Sequence, residues 1–122
     1  MSYYDNKAPT CTVDVLGTEY RMYMGVKEAD DEILRDADGY TDKTSHKIVI
    51  ADKLKDTDLD DYGAYVKKVL RHELVHAFLF ESGLGGCSAW HEGDDEHPEQ
   101  MVDWIAFQFP KILKAFQTVG AL

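Results

Sequence analysis

The pentapeptide His-Glu-Leu-Val-His at residues 72–76 constrains the fold of this chain more than any other feature. Residues four apart project from the same face of an α-helix, so His72 and His76 can direct both imidazoles at one ion if the segment is helical. Glu73 then lies beside that face, where it can hold a water molecule without becoming a ligand. The spacing predicts a helix that carries a zinc site. The alternative is two half-buried, hydrogen-bonded histidines with Glu73 facing solvent.

The residues around the pentapeptide have the pattern of a long helix. Aspartates of the preceding segment suit its N-terminus, and Gly83, Gly85 and Gly86 predict its end. Apolar residues recur at three- and four-residue spacing between these limits. They are Tyr62, Tyr65, Val66, Val69, Val75, Leu79 and Phe80.

A second helix is predicted near the C-terminus, after a polar, glycine-containing loop over residues 84–97. Pro98 suits its first turn, and Pro110 predicts a kink inside it. Its apolar stripe consists of Val102, Ile105, Ala106, Phe109, Ile112, Leu113 and Phe116.

The N-terminal half has the alternation of β-strands. Apolar residues at alternate positions of segment 11–26 predict a hairpin with its turn near residues 16–18. Segment 27–40 is acidic and predicts a short helix or turn followed by a loop. A further strand is centred on Ile48–Ile50. We therefore expect one α+β domain over residues 1–122, with a small antiparallel sheet of about three strands followed by two helices.

Composition limits the classes of partner and the compartment. The net charge of −10 disfavours binding to nucleic acid, which usually requires a basic patch. No apolar run is long enough to span a membrane, and the N-terminus lacks the apolar stretch of a signal peptide. Cys11 and Cys87 fit no paired motif and are expected to be free thiols. These features predict a cytoplasmic protein.

A catalytic zinc ion needs a third protein ligand and an open position for water. The metzincin pattern would place a glycine and a third histidine where this chain has Leu79 and Ser82, so that subclass is excluded. Glu99 is favoured because Asp103, one turn later, can accept a hydrogen bond from a ligand imidazole. Glu99 also fits a first-turn acid that the helix dipole stabilises. The full set of candidates is His91, Glu92, Glu96, His97, Glu99 and Cys87.

The two motifs together resemble a known family of zinc peptidases. The sequence HELVH, followed after 22 residues by EQMVDWIAFQF, is similar to the gluzincin pattern. It looks most like the small minigluzincins and the ImmA/IrrE-type metallopeptidases of phages and mobile elements. Their second motif reads E-x-x-x-N/D-x-F/I-A, and the resemblance covers mainly residues 60–116. The matching residues here are Glu99, Asp103, Ile105 and Ala106.

The resemblance implies a minimal zincin-like fold with zinc held by His72, His76 and Glu99. It also implies that Glu73 is the general base and that Asp103 contacts a ligand histidine. The expected function is a zinc-dependent metallopeptidase, in which Glu73 activates the water that hydrolyses the peptide bond of a peptide or protein substrate. The chain is shorter than ImmA/IrrE members and shows no helix-turn-helix segment, so cleavage of a repressor is not implied. The alternative is a non-catalytic, metal-binding module with a regulatory or interaction role.

Other side chains are assigned less specifically. The strand at residues 46–52 resembles the family's edge strand, and a substrate strand is expected to pair near Ile48–Ile50. A further donor is needed for the developing oxyanion. His46 is expected at the surface, and packing roles are expected for Trp90 and Trp104. The candidate oxyanion donors are His91, His97, Tyr40 and Tyr62.

Overall fold

Two β-hairpins lie side by side in one sheet, and two long helices follow them in the chain. The computed structural model describes residues 2–53, 59–84 and 99–122, and in these ranges it has four strands, a 3₁₀ helix and two α-helices. The elements are β1 (Cys11–Val15), β2 (Thr18–Val26), the 3₁₀ helix (Glu32–Arg35), β3 (Gly39–Asp42), β4 (Lys47–Ala51), α1 (Tyr62–Ser82) and α2 (Glu99–Thr118). The predicted α+β class is confirmed.

The first hairpin forms where the alternation predicted it. β1 and β2 are antiparallel, and Val15 pairs with Thr18 across a two-residue turn. Leu16 and Gly17 have φ angles of 50° and 92°. Positive φ at both central residues is the geometry that matches the right-handed twist of paired strands.

The sheet differs from the expected three-stranded antiparallel one. It has four strands in the order β1-β2-β4-β3, and β2 pairs with β4 in parallel. Ile48 and Ile50 are buried on one face of β4 and Val49 on the other. A strand that is apolar on both faces belongs in the interior of a sheet. The expected edge at Ile48–Ile50 was therefore wrong, and β3 occupies the edge.

β3 was missed because its sequence is short and polar and contains a glycine, which is typical of a loop. The glycine is required by close packing, since a Cβ on Gly39 would lie 2.9 Å from the carbonyl oxygen of Val49. The turn into β4 is held by Asp42, whose carboxylate accepts hydrogen bonds from the backbone N–H and hydroxyl groups of Thr44 and Ser45. Burial alone would raise the pKa of Asp42, but these hydrogen bonds outweigh it and hold the pKa at about 2.

The sheet buries both of its faces. One face packs against α1 and forms a core of seven buried residues. These are Val15, Tyr20, Met22, Ile48, Ile50, Val69 and Ala77. The other face packs against the N-terminal segment and the 3₁₀ helix. Its buried residues are Tyr4, Tyr23, Val26, Leu34, Val49 and Ala51. Residues of β3 can therefore face α1 or the opposite core according to their position in the strand.

The boundaries of α1 agree with the sequence signals. The Asp61 carboxylate caps its N-terminus by accepting a hydrogen bond from the N–H of Ala64 at 3.0 Å. Gly83 ends it in the left-handed conformation with φ of 86°. α2 continues through Pro110 and packs on α1 through buried Val102 and Ala106. Pro98, Gly85 and Gly86 lie outside the described residues.

Two expectations about exposed surfaces have different outcomes. His46 is exposed, as predicted. Trp104 is 57% exposed, so its predicted packing role was wrong. It lies on the side of α2 away from buried Val102 and Ala106.

Within the described part of the chain, no helix combines the length and apolarity needed to cross a membrane. The cytoplasmic location and the single domain over residues 1–122 stay predictions.

The pKa of Asp42 leads to a prediction about stability. A carboxyl whose pKa is depressed on folding stabilises the native state above its unfolded pKa, near 3.8, and loses this contribution as the pH falls towards 2. We expect Asp42→Asn to be less stable than the wild type at pH 7, with the difference shrinking between pH 4 and pH 2. Urea unfolding at a series of pH values measures this difference in the free energy of unfolding.

Asp36→Asn, at an exposed aspartate after the 3₁₀ helix, is the matched control. It should show a smaller stability difference at pH 7. A difference between the wild type and Asp42→Asn that stays constant down to pH 2 would contradict the assigned hydrogen bonds.

Candidate metal centre

The facing sides of α1 and α2 bring the three predicted ligands together. Nε2 of His72 lies 3.1 Å from one carboxylate oxygen of Glu99, and Nε2 of His76 lies 2.8 Å from the other. Both imidazoles lie on one face of α1 because they are four residues apart. Their side chains are only 18% and 13% exposed, whereas that of Glu99 is 51% exposed. The site therefore has a half-buried side on α1 and an open side at Glu99.

The three side chains are near enough to one another that they could hold one metal ion. One ligand atom from each lies within 4.8 Å of the others, and among residues 2–53, 59–84 and 99–122 this is the group whose geometry could hold a metal ion. Neutral imidazoles and a carboxylate are the ligand types of catalytic zinc sites. Tetrahedral zinc with bonds of 2.0–2.2 Å places its ligand atoms about 3.3 Å apart. The two nitrogen–oxygen distances of 3.1 and 2.8 Å are somewhat shorter than that separation and involve different oxygens of Glu99, as in direct hydrogen bonds.

Asp103 lies where the sequence predicted it, against a ligand histidine. Its Oδ1 is 3.4 Å from Nδ1 of His72, at the long end for a hydrogen bond. An ion pair with Lys68 is the main cause of the lowered pKa of Asp103, so the carboxylate stays charged beside the imidazole. A carboxylate at Nδ1 favours the tautomer whose Nε2 can bind a metal ion.

Glu73 is buried beside the ligands without joining them. It is 8% exposed, and the Thr41 hydroxyl lies 2.9 Å from its Oε1 and 2.9 Å from its backbone carbonyl oxygen. Burial raises the pKa of the Glu73 carboxyl; the Glu99 charge adds to this, while Thr41 and His72 act in the opposite direction. A carboxyl with raised proton affinity next to a metal site has the property required of a general base.

The edge of the sheet next to these groups belongs to β3. The N–H of Ala51 donates to the carbonyl of Asp38 at 2.9 Å, and Tyr40 pairs with Val49 two residues on. In an antiparallel pair, alternate residues point their backbone groups at the partner strand. The N–H and C=O groups of Gly39 and Thr41 therefore point away from β4, towards the open edge.

Two adjoining cavities form a cleft along this edge. One, of about 330 Å³, lies between β3 and the C-terminal half of α1 and is lined in part by Phe80. The other, of about 230 Å³, extends past Tyr65, Lys68 and Val69. His72, Glu73 and Gly39 border both cavities, whereas His76 and Glu99 border only the larger one.

Both tyrosines proposed as oxyanion donors have other partners. The Tyr40 hydroxyl donates to Asp31 at 2.5 Å, on the face of the sheet opposite the site. The Tyr62 hydroxyl donates to the carbonyl of Ala51 and accepts from the N–H of Lys53. In this structure, therefore, neither hydroxyl is directed at the three candidate ligands by a hydrogen bond. His91, Glu92, Glu96, His97, Cys87 and Trp90 lie outside the described residues. The thiol of Cys11 is free, as expected.

Thr41 was not predicted from the sequence. It belongs to a segment interpreted as a loop, and no local pattern connects it with a residue 32 positions later.

Comparisons of the chain with models of protein families, with curated proteins and with solved structures found no match. The residues of the site and their geometry therefore carry the functional argument.

The contact between Thr41 and Glu73 predicts a stability effect. Thr41→Val keeps the shape of the side chain but removes the hydroxyl, which leaves a buried carboxylate without this donor. We expect a loss of about 1–2 kcal/mol in the free energy of unfolding, measured by urea denaturation at pH 7. Thr41→Ser retains the hydroxyl and should lose less. Equal stability of Thr41→Val and the wild type would contradict the contact.

Proposed function

We propose that this protein is a zinc-dependent metallopeptidase of the gluzincin type. The observation that carries the proposal is the Glu99 carboxylate, which reaches Nε2 of both His72 and His76 while Glu73 lies beside them and outside the ligand set. A site that only held a metal for structural reasons would not need a buried carboxyl at that position. The resemblance of the two motifs to minigluzincins and ImmA/IrrE-type peptidases supports the same function.

The proposed reaction assigns a role to each residue. His72, His76 and Glu99 hold zinc, and Asp103 orients His72. When bound, zinc supplies a Lewis acid that lowers the pKa of water to about 7. Glu73 takes the proton from the attacking water and passes it to the leaving amine. Because Thr41 lies on Oε1 of Glu73, Oε2 is the oxygen that takes the proton.

The substrate is an extended segment of a peptide or protein. Gly39 and Thr41 offer outward-facing backbone groups at the edge of β3, where a substrate strand can pair by strand addition. A strand bound in the cleft would lie next to Glu73 and the proposed metal ligands, because these residues border it. The net charge of −10 argues against a nucleic-acid substrate. We place the reaction in the cytoplasm.

Metal content tests the ligand set. Protein purified without a metal-affinity tag should contain about one zinc ion per chain, and His76→Ala and Glu99→Ala should contain close to none, because three ligands are required. Mass spectrometry of the native protein measures it. Lys111→Ala, which removes a charge from α2 without touching the site, should keep its zinc. Zinc that survives Glu99→Ala would reject the third ligand.

Replacement of the proposed general base, Glu73, tests whether the protein is a catalyst. Glu73→Gln should retain its zinc but hydrolyse a fluorescently labelled, unfolded protein about 10²–10⁴-fold more slowly than the wild type, because the proton acceptor is gone. Fluorescence release at pH 7 measures the rate. A wild-type protein that binds zinc but cleaves no faster than Glu73→Gln would favour the non-catalytic metal-binding module.

A further inference from the structure

α2 contains Pro110, which affects the backbone hydrogen bonding of α2 about two turns after the proposed zinc ligand Glu99. Pro110 has no backbone N–H, and in an α-helix that group would donate to the carbonyl of the residue four positions earlier. That residue is Ala106, which is fully buried against α1. The Ala106 carbonyl thus loses its usual helical donor in a place that water does not reach, and a buried carbonyl without a donor is costly.

Arg71 of α1 supplies the missing donor. Its Nε lies 2.5 Å from the Ala106 carbonyl oxygen, and its side chain is half-buried between the helices. Side chains in a helix lean towards the N-terminus, so Arg71 reaches past Lys68 to the level of Ala106 on α2. A hydrogen bond from a guanidinium is roughly twice as strong as one between neutral groups.

This hydrogen bond and the contacts of the proposed metal ligands lie along the same face of α2. Glu99, Asp103 and Ala106 are spaced by four and three residues and therefore share one face of α2. Along that face, Glu99 contacts both histidines, Asp103 contacts His72 and Lys68, and Ala106 contacts Arg71. A shift of α2 by one residue moves Glu99 by about 1.5 Å. Zinc ligands tolerate only about 0.2 Å.

We propose that Arg71 is a positioning residue for the zinc ligand Glu99. By donating to the carbonyl that Pro110 leaves without a donor, Arg71 sets the position of α2 along α1. Pro110 and Arg71 thus act as a pair, although they lie on different helices. The effect on zinc rests on the proposed function, whereas the hydrogen bond itself does not.

A double-variant cycle tests the pair through zinc affinity. Arg71→Met, Pro110→Ala and the combination are compared with the wild type by competition against a chromophoric zinc chelator. Arg71→Met should bind zinc about 10–100-fold more weakly. Pro110→Ala provides an N–H for the Ala106 carbonyl, so the double variant should lose less zinc affinity than Arg71→Met alone. Arg71→Lys, which keeps a cationic donor, should recover part of the affinity.

The control is Lys67→Met, which removes a cation from the exposed side of α1 and should leave zinc affinity unchanged. Circular dichroism of each metal-free variant verifies that it is folded. Arg71→Met with wild-type zinc affinity but reduced stability would overturn the positioning role. So would a double variant whose loss of affinity equals the product of the two single losses.

The same cycle is measured by urea unfolding in the presence of a chelator. If the wild-type protein binds no zinc, the proposed function fails, and this measurement alone decides the inference. Arg71→Met should then destabilise the protein less in the Pro110→Ala background than in the wild type. Equal destabilisation in both backgrounds would overturn the pairing of Arg71 with the carbonyl.

Discussion

The contact of one carboxylate with two imidazoles is the interaction on which the site depends. Glu99 begins α2, and its two oxygens reach Nε2 of His72 and of His76 on α1. Three polar groups meeting in a half-buried place are stable only if their charges and hydrogen bonds are satisfied. These contacts therefore require one relative position of α1 and α2, and buried Val102 and Ala106 provide the apolar part of the packing between the two helices.

The sheet contributes the other half of the site through its edge. Thr41 of β3 contacts Glu73, and Gly39 allows β3 to approach β4 and α1 closely enough for that contact. The carboxylate of Asp42 holds the following turn. One short hairpin thus both shields the proposed base and lines the cleft. A backbone edge next to the three candidate ligands is a surface on which an extended chain can be held by strand addition.

Sequence patterns predicted the elements that depend on interactions between neighbouring residues, and they failed for elements that depend on residues far apart in the chain. The helix over Tyr62–Ser82 and the first hairpin follow from side-chain periodicity, capping and turn geometry, which depend on neighbouring residues. β3 was missed because its four residues are stabilised by pairing with β4 rather than by their own propensity. The apolar run in β4 was placed at an edge, although burial on both faces is typical of an interior strand. Trp104 was misassigned, and the partners of the Tyr40 and Tyr62 hydroxyls were not foreseen, because helix or loop membership does not reveal which partner a side chain meets.

The spacing of His72, Glu73 and His76 determined by itself that two imidazoles and a carboxyl share one part of a helix, because helical geometry fixes that relation. That Glu99 and Asp103 lie against these imidazoles depends on the packing of α2 on α1, which no local pattern determines. The partners Thr41 and Arg71 were decided by tertiary structure alone. Thr41 lies 32 residues before Glu73 and Arg71 lies 35 before Ala106, and no local rule connects residues so far apart.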